Sequence, residues 1–401
     1  MKKTPRMLVS ALCLAGFAQA AAAVDVHWAG FATAAVACFS GDDADYVAYG
    51  QPDGPGRSRR CDAGIDSLLG VQLDAEVGDR LSLALQMVAD QDEDGHYDPR
   101  IEVAQLRWRV DDRVSLRLGR MPAPAFLFSE TRQVRFAQPW VRPPQSVYGL
   151  VPVHASDGVE LIVNNAIGGW HAEWQLGWSE KTFEAPLPNS SRTASIDSRG
   201  GFLYLTLDSG GTRFKLGYGY NETTLRNRNV TQLLGGLRTF SSGAQLADDL
   251  EVEDSPMHSF ALGAQHESAG WLLLAEAGYI SVDGYPRDQF GAYVTVGRHF
   301  GAWMPYLSFE QRKTYGDDTD PRAGPLRAQV DTLLAATRYD GHTVSAGLSR
   351  ALGDSAMVKL QIDRVQPDND SWGQLSNHGP GYRFDDPQEE WLATLSLDFV
   401  F

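Results

Sequence analysis

The stretch Trp391-Leu392-Ala393-Thr394-Leu395-Ser396-Leu397-Asp398-Phe399-Val400-Phe401 decides the fold. Trp391, Ala393, Leu395, Leu397, Phe399 and Phe401 fall on one face of an extended chain; Thr394, Ser396 and Asp398 fall on the other. Only a strand sends successive side chains to opposite faces, and a helix would scatter this set around its circumference. The same period recurs upstream. Trp170, Ala172, Trp174, Leu176 and Trp178 alternate with His171, Glu173, Gln175 and Gly177, and Leu81, Leu83, Leu85 and Met87 alternate with Ser82, Ala84, Gln86 and Val88. Counting such segments gives about 16 strands, an even number as closed bacterial barrels use.

The connections alternate in length. Short ones include Val77-Gly78-Asp79, Asp111-Asp112, Asp208-Ser209-Gly210-Gly211 and Leu352-Gly353-Asp354. Long polar ones cover residues 38–63, 90–99, 179–199, 222–256, 314–341 and 366–389. This pattern predicts an all-β fold: a closed antiparallel transmembrane β-barrel with long extracellular loops and short periplasmic turns. A soluble sandwich also alternates, but it would hide its Trp and Leu rows between two sheets. Here Trp170, Trp178, Trp271, Trp303, Trp391 and Phe401 sit at strand ends, as interfacial girdles do. Inside the 314–341 connection, Leu326, Val330, Leu333, Leu334 and Thr337 follow helical spacing, so Pro325 to Arg338 reads as a helix within a loop.

Composition supports that reading by exclusion. The chain has 401 residues, 35 Lys+Arg against 51 Asp+Glu and a net charge of −16, so it lacks the basic balance of a nucleic-acid binder. Its mean hydropathy is −0.28, and no apolar run near ~18 residues follows the N-terminal segment, which excludes a helical membrane protein. Three cysteines are too few for a disulfide scaffold. Lys2, Lys3 and Arg6, the apolar stretch Met7 to Phe17, and Ala18-Gln19-Ala20 make residues 1–20 a cleavable signal peptide ahead of a barrel at 21–401; Ala21-Ala22-Ala23 offers a second cleavage site. Removing those three basic residues takes the net charge to −19. Two cysteines remain, Cys38 at the end of the first strand and Cys61 before the second. In an oxidising compartment an even count leads us to expect a disulfide between them.

With its signal peptide, regular hairpins and final alternating strand ending in Phe401, the chain resembles Gram-negative outer-membrane porins of the 16-stranded type. The resemblance covers essentially the whole mature chain. It implies a water-filled channel in the outer membrane for passive diffusion of small hydrophilic solutes and ions. It also implies a homotrimer, and Phe401 as the terminal aromatic read by the barrel-assembly machinery. In that family the third loop folds into the barrel and narrows the pore. The corresponding stretch here is Arg120 to Asp157, which departs from the acidic third loop of the enteric general porins.

Residues 120–157 are informative in their own right. Six prolines between residues 122 and 152 forbid a regular helix or strand, yet Phe126, Phe128, Phe136, Trp140 and Tyr148 are too apolar to hang in water. Such a loop should pack against something: the barrel interior, the rim, or a neighbouring copy. Alternation turns Gln105, Arg107 and Arg109 inward on one strand and Arg113, Ser115 and Arg117 inward on the next. Arginine on the lipid face would cost about 2–4 kcal/mol near the midplane, so these side chains line water. Between residues 100 and 142 there are nine arginines and four acids. Candidate pore-lining residues are therefore Arg107, Arg109, Arg113, Arg117, Arg120, Glu130, Arg132, Arg135, Arg142 and Asp157. Arginine at a constriction favours anions, so a mild anion preference is expected, the alternative being a solvated wall without selectivity.

The acidic surplus falls in the long loops, where it keeps the mouth soluble and can share divalent ions with lipid and lipopolysaccharide phosphates. Asp90, Asp92, Asp94, Gly95 and Asp98 match the start of a calcium loop, but Ile101 stands where the bidentate Glu belongs, and a solvated acidic loop fits as well. No other cofactor is indicated. GxSxG, GxxxxGK[ST] and HExxH are absent and the nine His are scattered, so no catalytic residue is assigned. The alternatives from other classes are a barrel hydrolase and a structural or adhesive barrel without an open pore.

Overall fold

The computed structural model describes residues 24–48, 50–151, 153–186 and 193–401. The signal segment at 1–20 and its cleavage sites lie outside the described residues. Sixteen long strands form one closed antiparallel barrel. They are β1 Val24–Phe39, β2 Leu68–Val77, β3 Leu81–Asp90, β4 Arg100–Arg109, β5 Val114–Pro122, β6 Ala155–Ile167, β7 Trp170–Pro186 and β8 Thr193–Ser209. There follow β9 Thr212–Arg226, β10 Ser255–Ser268, β11 Trp271–Val282, β12 Gln289–Arg298, β13 Trp303–Thr314, β14 Gly341–Ala351, β15 Ala356–Pro367 and β16 Glu390–Val400. Each strand pairs with the next. Closure falls on β1, which pairs with β2 along Val24 to Thr33 and with β16 along Phe31 to Phe39.

Alternation decides what each strand shows to lipid and to lumen. On β16, Trp391, Leu395 and Phe399 are exposed on the outside, whereas Leu392, Thr394, Ser396 and Asp398 are buried inside. On β15, Leu360 and Ile362 face out and Lys359, Gln361 and Asp363 face in. Exposed Leu69, Leu83, Leu118, Leu176, Leu262 and Leu307 continue the apolar belt around the barrel. A band of that extent faces hydrocarbon, not water. Among the described residues no helix is long and apolar enough to cross a membrane; the crossing is made by strands. Two-residue turns such as Gly168-Gly169 and Gly210-Gly211 need positive φ at both positions, which glycine supplies without strain.

The outer connections carry structure of their own. Helices α2 Arg228–Leu237 and α3 Ser241–Leu250 lie between β9 and β10, and α4 Arg327–Ala335 lies between β13 and β14, inside the stretch read as a loop helix. Leu237, Leu246, Leu250, Val330 and Leu334 pack together and join the two loops into one cap. Cys38 and Cys61 sit opposite each other in the ladder and are bonded, with an S–S distance of 2.01 Å. The expectation of a long loop at 179–199 needs correction. Strands β7 and β8 pair from Pro186 and Thr193 downward, so most of that stretch is strand. Its polar residues mark where the strands leave the membrane, not where they end.

Candidate functional site

The loop between β5 and β6, which holds α1 Gln145–Tyr148, runs inside the barrel. Its prolines stiffen a chain whose aromatics need cover, and the inner wall supplies it. Trp140, 1% exposed, donates its indole N–H to Thr295 Oγ1 at 3.0 Å and meets the Tyr293 ring edge-on at 5.3 Å. Glu276 collects the Leu127 N–H at 2.6 Å and the hydroxyls of Tyr148 and Tyr293, both at 2.7 Å. Glu310 accepts the Ser146 N–H at 2.8 Å, and Gln361 accepts the Val141 N–H at 3.0 Å. Two wall glycines make room. Gly278 and Gly291 stand opposite each other on β11 and β12, and a Cβ on Gly291 would come within 1.8 Å of the Ser146 carbonyl oxygen.

Charge fixes the loop as firmly as packing does. Arg142, buried, binds both Asp66 oxygens at 2.9 and 2.6 Å, Asp363 at 2.9 Å and Thr394 at 2.7 Å. Burial works against the Arg142 charge, but Asp66 and Asp363 more than offset it and hold its pKa well above the ordinary value. The Lys359 ammonium donates to the carbonyls of Arg135 and Trp140 at 2.6 and 2.9 Å and pairs with Asp398 at 2.9 Å. Burial and the nearby Glu276 carboxylate raise the Tyr148 phenol well above its usual range, so it stays a donor. The half of the lumen beside β11–β16 is thereby filled.

These contacts correct the expected set of pore-lining groups. Arg117 is buried and paired with Glu160 and, at 3.0 Å, with Glu130. Arg120 stands opposite Asp157 in the β5–β6 ladder and binds it through two bonds of 2.8 Å. Arg132 is buried and donates to the Val151 carbonyl at 2.9 Å; Arg135, also buried, donates to that of Arg132 at 3.1 Å. Together with Arg142, these residues anchor the loop or brace the strands beside it. The reason is physical: a charge leaving water for the lumen interior needs a partner, and carboxylates on distant strands provide one. Arg107 and Arg109 are exposed on the inward row of β4, while Arg113 sits in the turn that follows. Asp66, Glu160, Glu276, Glu310, Lys359, Asp363 and Asp398 went unassigned in the sequence. Each is an ordinary inward or loop position whose partner lies many residues away.

The acidic loop after β3 is arranged differently from a calcium loop. Asp90 is taken up by Arg100, and Asp92 Oδ1 accepts the N–H groups of Asp94 at 3.0 Å and His96 at 2.8 Å. The ligand atoms that come within 4.8 Å of one another are those of Asp92, His96 and Asp98, not the series 90, 92, 94 and 98.

Above the folded-in loop lies an outer vestibule of about 990 Å³. Its floor is formed by Ala123 to Ala125 and Gly149 to Val151, and its sides by the outer ends of the strands.

No protein-family model matches the chain, and no curated protein sequence matches it. Solved structures do. OmpT of Vibrio cholerae, an outer-membrane protein, aligns over 96% of this chain and 99% of its own at 10% identity, with a TM-score of 0.53. The Salmonella typhi OmpF complex with daunomycin aligns over 94% and 97% at 11% identity, with a TM-score of 0.54. An anion-selective porin from Comamonas acidovorans aligns over 94% and 100% at 11% identity, with a TM-score of 0.51. At these identities the shared property is the fold, that of a 16-stranded outer-membrane barrel.

Proposed function

We propose that this outer-membrane barrel is a porin, a water-filled channel for passive diffusion of small hydrophilic solutes, and not an enzyme. One observation carries the reading. The inserted loop does not cover the whole inner wall: on the inward rows of β2, β3 and β7, Gln72, Gln86 and Glu173 stay half-exposed, and Arg107 on β4 is exposed. A polar, wetted half-lumen beside a fixed loop is what a restricted aqueous path requires. With Arg117, Arg120 and Arg142 neutralised by carboxylates, the anion preference is modest and rests on Arg107 and Arg109. Assembly with further copies into a trimer belongs to the same proposal; crosslinking in outer-membrane fractions tests it. Conduction is tested by inserting purified protein into planar bilayers, where discrete, steady and ohmic current steps are expected. Folded barrels that insert without any current step would overturn the channel reading in favour of a closed structural or hydrolytic barrel.

A further inference from the structure

A water-filled lumen calls for polar residues on the inward rows. At the outer ends of β7 to β11 that rule breaks. Phe183, Ile196 and Leu225 stand opposite one another across the β7–β8–β9 ladders, and all three line the vestibule. Met257 and Val282, opposite each other across β10 and β11, extend the apolar surface, and Ile280 adjoins it. The result is an apolar arc on a wall that alternation would otherwise make hydrophilic.

Cations bracket this arc. Lys181 precedes Phe183 by two residues on the same inward row and lines the vestibule. Arg312 lines it from β13, beyond Gln289, which stands opposite Ile280 in the β11–β12 ladder. Other vestibule cations are engaged: Arg100 by Asp90 and Glu102, Arg120 by Asp157, and Arg287 by Asp318. Among the described residues neither Lys181 nor Arg312 forms an ion pair. Arg312 donates to the side-chain carbonyl of Gln289 and, at 3.5 Å, to the Gly149 carbonyl, and it lies over the Tyr339 ring at 4.8 Å. Those partners are neutral, so its charge is oriented but not cancelled. Of the vestibule acids, Asp92, Glu93 and Asp98 belong to the loop after β3, and Glu180 and Glu184 flank Lys181 and Phe183 on the alternate row of β7, opposite in sense to the inward row that carries the arc.

From this we infer that the vestibule binds amphipathic organic anions, a carboxylate carried on an apolar body. The body covers the arc, and the carboxylate meets Lys181 or Arg312. Apolar pockets with a few placed polar groups work in this way, with area supplying affinity and charge supplying orientation. The inference names a solute class for the channel proposed above and rests on that reading, but its test does not depend on conduction.

Calorimetric titration of the purified full-length barrel in detergent, with 4-phenylbutyrate as the probe, tests it. Saturable binding is expected, with acetate and 4-phenylbutylamine each weaker by about tenfold or more, the weight of one charge-assisted contact. Lys181→Gln combined with Arg312→Gln should weaken phenylbutyrate by a similar factor, and Ile196→Asn should weaken it while leaving the acetate signal unchanged. Circular dichroism and heat-modifiable gel mobility identify variants that fail to fold. In that event, the comparison of the three probes on the unaltered protein decides. Absence of saturable phenylbutyrate binding, equal binding of the amine, or folded charge variants with unchanged affinity would overturn the inference. Binding without current steps in bilayers would instead leave it standing and remove the channel reading. Current steps without binding would do the reverse.

Discussion

Lys359 and Arg107 both occupy inward rows of the barrel, yet they live in different media. Lys359 is fully buried, 2.9 Å from an equally buried Asp398, and its ammonium holds two carbonyls of the inserted loop. Arg107 is exposed on the inward row of β4, opposite Ser82 and Arg117. What separates them is the loop. Where it sits, charges are dry, paired and structural; where it does not, they stay wet. Position on the strand decides the face, but the loop decides whether a charge is dry and paired or left in water.

The sharpest way to break this contrast is Arg142→Ala. It would leave Asp66 and Asp363 buried without their cation, at a cost of about 3–5 kcal/mol. We expect a lower midpoint in urea unfolding and a larger single-channel conductance as the loop leaves its seat. Unchanged conductance would mean the loop does not limit the path. The seam at β1 should respond somewhat less. Cys38→Ser with Cys61→Ser opens a loop of 24 residues counted inclusively, worth about 3 kcal/mol in the chain-entropy model. Stability should fall while conductance stays the same.

A third measurement asks whether the outer rim behaves like the filled half. His378 lies between the rings of Trp372 and Tyr382, with centroids 4.4 and 4.1 Å away, and burial pushes its pKa from 6.5 down to about 4. The unfolded chain takes up this proton first, so the contribution is full above about pH 6.5 and is lost as pH falls towards 4. Protease resistance of the loop between β15 and β16 should decline across that window, and His378→Phe should flatten the decline. The smallest effect on stability belongs to the open half. Arg107→Gln with Arg109→Gln should move unfolding by no more than about 0.5 kcal/mol. It should nevertheless shift the zero-current potential under a KCl gradient towards cations. A stability loss matching that of Arg142→Ala would erase the distinction between the two halves.

Much of this architecture was legible in the residues. Alternation from Trp391 to Phe401 gives the strand and its lipid face, and the prolines and aromatics between 122 and 152 mark a loop in need of cover. Helical spacing at Leu326, Val330 and Leu333 marks the helix of the outer cap. Partnership was not legible. Nothing near Arg142 in sequence reveals Asp66 or Asp363, because ladders bring together residues far apart along the chain. Period two tells inward from outward, not wet from dry, so Arg107 and Arg117 look alike until Glu160 and Glu130 are placed beside one of them. Polarity misled at 179–199 for a related reason: above the membrane both faces of a strand meet water, and a strand there resembles a loop.

Gly278 and Gly291 give the lumen wall a recess into which the loop backbone fits. The free width of the lumen is consequently set from behind. One methyl group on Gly291, hidden from any passing molecule, would strike the Ser146 carbonyl and drive the loop across the lumen towards the opposite wall. The aperture can thus be adjusted without altering a single group that a solute touches. In a barrel used as a molecular sieve, mesh size and mesh chemistry would be independent settings.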